Sequence, residues 1–225
     1  MKGVIILMAI ISSLLTLFGC KKGPSPQVGT ASEAYRITAQ LSHPLMPLDR
    51  GDRYEDPLNE ALSQRNLGEV TGGGTMQEKS GEIKFIDIEV DLTNLDVGVP
   101  FVIRELEELG APKGSILRIH GNNPQKEIPF GKAEGIAVYL DGVNLPEEVY
   151  KNSDVNLVVE ELNRRLGSHG SVQSHWQGPS ETALYLYGDN ANKMKTLIQD
   201  FLDSYPLCKG ARVVTIAPKS KTTRD

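Results

Sequence analysis

Two stretches of this chain carry the same order of elements about 97–99 residues apart, and a repeat of that length constrains the fold more than any local pattern does. In the first stretch, Tyr35–Leu41 alternates Tyr35, Ile37, Ala39 and Leu41 with Arg36, Thr38 and Gln40, the period of a half-buried strand. Asp56-Pro57 reads as a helix start, with Asp56 as N-cap and Pro57 at the first helical position. Leu58, Ala61, Leu62 and Arg65 space its inner face. Gly68–Met76 reads as a Gly-rich strand and Ile83–Leu92 as a strongly alternating one. Pro100 reads as the start of a second helix with Gly110 at its C-terminal end, and Ser115–His120 as the closing strand.

The second stretch runs the same way. Gly135–Leu140 reads as a strand and Asn156–Leu166 as a helix carrying Leu157, Val158, Glu161, Leu162 and Arg165. Val172–Gln177 and Thr182–Gly188 are strand patterns, Asn192–Tyr205 is a helix pattern, and Arg212–Ile216 is the last strand. Both halves therefore predict β-α-β-β-α-β, the split βαβ order of a ferredoxin-like fold. The fold class expected is α+β, with two tandem ferredoxin-like domains at residues 35–122 and 132–217. The boundary falls in Gly121–Lys132, which is rich in turn formers. A single continuous α/β domain is the alternative.

Ahead of the repeat, MKGVIILMAIISSLLTLFGC has one early Lys, an apolar run from Val4 to Phe18 and a small residue before Cys20. That pattern is a secretory signal, and its apolar run is shorter than the ~20 residues a spanning helix needs. Leu17-Phe18-Gly19-Cys20 resembles the lipobox of bacterial lipoproteins, with Phe18 bulkier than is usual there. The resemblance implies a signal peptide over 1–19, cleavage before Cys20, and a lipidated, palmitate-bearing Cys20. It implies an envelope location, and Lys21 in place of Asp points to the outer membrane, facing the periplasm. Residues 20–34 read as the lipidated Cys and a flexible tether, and 218–225 as a disordered tail.

Composition narrows the function classes. Charged residues are 24 % and the net charge is -5, so the basic footprint of a nucleic-acid binder is missing. The one cysteine besides Cys20 is Cys208, so no disulfide framework is expected within the chain. His43, His120, His169 and His175 show no metal-ligand spacing, and neither metal nor cofactor is expected. Glu55–Thr75, with DIEVDL and GAPKGS, is similar to an uncharacterised family of small bacterial proteins. That resemblance covers about Tyr54 to Ser115 and implies no activity.

Three features are candidate sites. Thr71-Gly72-Gly73-Gly74-Thr75 could converge N–H groups on an anion, but no helix or Lys follows, and a bulged strand against a close neighbour fits better. Asp87, Glu89 and Asp91 alternate with Ile86, Ile88, Val90 and Leu92, so the three carboxylates share one sheet face. They suit a basic partner, or a solvated face paired with Arg36. In the second half Tyr139, Tyr185 and Tyr187 would line the open face with His175 beside them, and Trp176 would point the other way. This face suits a partner, self-association or packing against the first domain. The function expected is a membrane-anchored, non-catalytic binding module of immunity or inhibitor type. The alternative is an envelope hydrolase or small-ligand enzyme with His120, Asp141 and His175 meeting between the domains.

Overall fold

Alternating segments become strands where the pattern places them, and helices close the apolar side of each sheet. The computed structural model describes residues 34–121 and 125–218, which fall in one compact unit. The signal segment, Cys20, the tether and the tail from 219 onward lie outside the described residues. The chain is mixed α+β with two antiparallel sheets.

The first half runs β1 (Tyr35–Leu41), α1 (Pro47–Arg50), α2 (Asp56–Arg65), β2 (Gly68–Gln77), β3 (Ile83–Leu92), α3 (Leu95–Glu108), β4 (Ser115–Ile119) and β5 (Lys126–Phe130). The second runs β6 (Glu134–Asp141), α4 (Glu147–Asn152), α5 (Val155–Leu166), β7 (Gly170–Gln177), β8 (Glu181–Gly188), α6 (Ala191–Ser204) and β9 (Arg212–Ala217). The sheet orders are β2-β3-β1-β4-β5 and β7-β8-β6-β9. Without β5, the two halves have the same order counted from their own first strands.

Each half has its own core. Ile37, Leu41, Ile86, Ile88 and Leu117 of the first sheet are fully buried with Leu58, Leu62, Val102 and Leu106 of α2 and α3. In the second half Val138, Leu186, Val158, Leu162, Met194 and Ile198 do the same. Burying each such aliphatic side chain contributes about 1.5–3 kcal/mol.

The halves also share a detail that residue spacing does not show. β2 bulges between Val70 and Gly72, and β7 bulges between Val172 and Ser174. In each, the backbone N–H just before the bulge donates to a helix asparagine: Val70 to Asn59 Oδ1 at 2.9 Å, Val172 to Asn163 Oδ1 at 2.8 Å.

Three local expectations change, and one element is new. Asp56 is not a cap, because the helical run begins at Pro47 and passes through a π-helical turn, Gly51–Glu55. α3 starts at Leu95 rather than Pro100, because Asn94 caps it by accepting from Val97 N–H at 3.1 Å. Pro100 then sits inside the helix. The expected boundary contains β5, whose Pro129 is tolerated on an edge strand, so the first sheet extends to Phe130. α4 had no sequence signal, and none of its residues is buried.

Candidate functional site

The acidic row stands on the face of the first sheet opposite α2 and α3. Register places Glu69 and Arg36 beside Asp91, Thr38 beside Glu89, and Gln40 beside Asp87; Arg118 and Glu127 continue the face on β4 and β5. Arg36 grips Asp91 with two contacts, 3.0 and 3.2 Å. The hydrogen bond from Arg36 holds the Asp91 carboxyl below its usual range. Gln40 donates to Asp87 at 3.1 Å and Arg118 to Glu127 at 2.8 Å. Glu89 is exposed and has no hydrogen-bond partner among the described residues. The face thus carries five carboxylates, Glu69, Asp87, Glu89, Asp91 and Glu127, against Arg36 and Arg118.

The glycine run takes its meaning from this face. Gly72 and Gly74 pair with Glu89 and Asp87, so no side chain from β2 stands beside those carboxylates. Gly73 points to the other side, where a Cβ would lie 2.1 Å from Glu55 Oε1 and 2.9 Å from Arg50 Nε. The run is a bulged strand with a close neighbour.

The tyrosine face is covered from within the chain. Tyr185 and Tyr187 are 2 % and 1 % exposed. Glu82, in the turn between β2 and β3, accepts from Tyr139 OH at 2.9 Å and Tyr185 OH at 2.7 Å through one oxygen, Oε1. Tyr187 OH donates to the Ser42 carbonyl at 3.0 Å. Of the alternatives for this face, packing against the first half is the one present, so Tyr185 and Tyr187 do not meet an outside partner. Tyr139 is partly buried under Arg212, which lies 4.3 Å from its ring centre. Burial, and then the Glu82 carboxylate, push the Tyr139 hydroxyl up to about 12.

The same contact zone holds His43, which is fully buried with Nδ1 2.9 Å from Tyr54 OH and its ring 4.3 Å from that of Tyr187. Its Nε2 has no partner among the described residues. Burial first, and the Arg53 charge second, lower its pKa well below 6.5. A histidine depressed in the folded state favours proton uptake by the unfolded chain, so its contribution is full above 6.5 and shrinks as pH falls below it. Thermal unfolding between about pH 7 and pH 5 should therefore show a falling Tm, with a flatter slope for His43→Gln. Equal slopes would remove His43 as the cause.

The residues of a catalytic cleft between the halves do not converge. His120 Nε2 is 2.7 Å from Thr38 Oγ1 on the first sheet. Asp141 and His175 both line a cavity inside the second half. The cavity that spans the halves, about 380 Å³, is lined by Glu78, Glu82, Lys84 and the three tyrosines among others. The bulge in β7 also reverses the expected faces: Trp176 shares the tyrosine side with Ser174, and His175 faces the helix side opposite Leu184. Cys208 is buried, and burial pushes its thiol up to about 11. Among the described residues no group of three metal-ligating side chains gathers, and no helix is long and apolar enough to cross a membrane.

No protein-family model matches this chain, and no curated protein matches it. Among solved structures, the chain aligns with an unknown protein from Galdieria sulphuraria at 11 % identity, covering 81 % of this chain and 98 % of that one, with a TM-score of 0.27. The regulatory subunit of aspartate kinase from Thermus thermophilus aligns at 10 % identity over 74 % and 92 %, with a TM-score of 0.23. The first two RRM domains of a yeast poly(U)-binding protein align at 11 % over 80 % and 99 %, also at 0.23. Alignments this loose carry no inference about what the chain does.

Proposed function

We propose that this chain is a lipid-anchored, non-catalytic binding module of the bacterial cell envelope, built from two tandem ferredoxin-like domains. Its first sheet presents the open acidic face to a basic protein partner, as an immunity or inhibitor protein would. The observation that carries the reading is the uncovered row of Asp87 and Glu89. Glycines flank it on β2, none of the described helices lies over it, and among the described residues carboxylates outnumber cations on the face five to two. Such a field acts on on-rate and choice of partner more than on affinity. The strand orders and the repeated bulges support the tandem duplication. The lipobox-like Leu17–Cys20 supports the anchor, with the outer membrane, on the periplasmic side, as the address that Lys21 favours.

Two measurements test this. Cys20→Ala should abolish labelled palmitate incorporation. A variant that incorporates the label as the parent does would refute the anchor. For the face, a deca-lysine peptide serves as the basic probe of the lipidated chain in nonionic detergent. Asp87→Ala, Glu89→Ala and Asp91→Ala together should weaken binding tenfold or more, as should raising salt from about 0.05 to about 0.3 M. Binding indifferent to both changes would place the contact elsewhere.

A further inference from the structure

Each half keeps its own core, and a separate buried cluster lies on the tyrosine side of the second sheet. It holds Ala137, Ala183, Tyr185, Tyr187 and Ala217, all from the second half. The first half closes over it with polar groups. Glu82 Oε1 takes the Tyr139 and Tyr185 hydroxyls, and the Ser42 carbonyl takes that of Tyr187. Next to Ser42, the fully buried His43 ring lies 4.3 Å from the Tyr187 ring and bonds Tyr54 of the first half at 2.9 Å. His43 thus spans the seam between the halves through neutral groups alone.

A proton on that ring finds nothing to receive it. In the imidazolium both nitrogens donate, yet Nε2 is sealed with no partner among the described residues. The groups facing the ring are Arg53 and Tyr54 from the turn Gly51–Glu55 and Tyr187 from β8. None is a carboxylate, and the Arg53 charge repels a second cation. Arg53 Nε is itself buried without a partner. Burial first, and Arg53 second, hold the His43 pKa well below 6.5, whereas water reaching a parted seam restores the ordinary value. The constant for parting therefore rises as pH falls below 6.5, by up to about tenfold per pH unit. The seam yields first, because hydrogen bonds, alanines and two tyrosine rings hold it, while each core packs Leu, Ile and Val.

We propose that protonation of His43 in acid parts the two halves along this seam, baring the tyrosine side of the second sheet while both cores stay folded. The switch depends on neither the acidic face nor the lipid anchor. Thiol labelling of the full-length chain in nonionic detergent tests it, with a dithiodipyridine as the probe and the labelled site read by peptide mass. Ala137→Cys puts a thiol in the seam, where Ala137 is fully buried. Ala183→Cys, at an equally buried position, serves if that variant does not fold. Cys208, in the second core, is the internal control. Each rate is divided by that of the unfolded chain at the same pH. Between about pH 7 and about pH 5 the seam thiol should label about 25-fold faster. At the acid end it should label at least tenfold faster than Cys208. With His43→Gln added, or His43→Phe if the glutamine variant does not fold, the acceleration should drop below threefold. A flat seam rate with His43 in place, equal acceleration without the imidazole, or a seam thiol no faster than Cys208 would each overturn the proposal.

Discussion

Glu82→Ala is expected to lower stability by about 3 kcal/mol, and Tm by about 6–12 °C for a folded chain of this size. One oxygen, Glu82 Oε1, takes both tyrosine hydroxyls, at 2.9 and 2.7 Å. Hydrogen bonds to a charged group are worth about 1.5–3 kcal/mol each. The two are not equal. Tyr185 is 2 % exposed, whereas Tyr139 is partly exposed and is the more readily rehydrated of the two. Most of the loss should therefore come from the stranded Tyr185 hydroxyl. Glu82→Gln keeps an acceptor and should cost about 1 kcal/mol. Tyr185→Phe in the Glu82→Ala background should recover about 1 kcal/mol, because it removes the orphaned donor. Tyr139 titration should also fall part-way from about 12 toward 10, since Glu82 is the second cause of its shift after burial. A Glu82→Ala protein as stable as the parent would show that this contact does not hold the halves together.

Glu82 also marks what the sequence makes legible. Alternation in Ile83–Leu92 is enough to place Asp87, Glu89 and Asp91 on one face, because a strand has a fixed period of two and this strand has no bulge across them. The same reasoning fails for His175 and Trp176. A single extra residue at Gln173 inverts every side chain that follows it, and the cue is a helix asparagine bonding to a backbone N–H, a contact invisible in residue spacing. Tyr139, Tyr185 and Tyr187 are correctly grouped by periodicity. What covers them is Glu82 and Ser42, residues 57 to 145 positions away, and no local pattern reports a pairing over that distance. β5 is hidden for a different reason. Its Pro129 and the turn formers before it argue against a strand, and only an edge position makes them tolerable.

The second large effect is expected at Glu55. Glu55→Ala should cost about 3 kcal/mol, near the lower end of the range for breaking a buried ion pair, because 11 % of the Arg50 side chain and 19 % of Glu55 still meet solvent. Arg50 has no other carboxylate partner among the described residues, and its remaining hydrogen bond is to the neutral Thr75 hydroxyl. The guanidinium would be left uncompensated between α1 and β2. Arg50→Met added to Glu55→Ala should therefore be less harmful than Glu55→Ala alone, since an apolar side chain can occupy the same volume without a charge. Gly73→Ala tests the packing side of the argument. Its new Cβ would sit 2.1 Å from the Glu55 carboxylate and 2.7 Å from the Asp87 carbonyl. Crowding of this kind costs about 1–3 kcal/mol. The cost should fall in the Glu55→Ala background, where the side-chain clash is gone, but not vanish, because the Asp87 backbone cannot move aside. Denaturant unfolding of the four proteins gives the order directly. If Glu55→Ala and the double variant with Arg50→Met are equally unstable, charge compensation is not what keeps Arg50 over Gly73. The first half would then be filled there by shape alone.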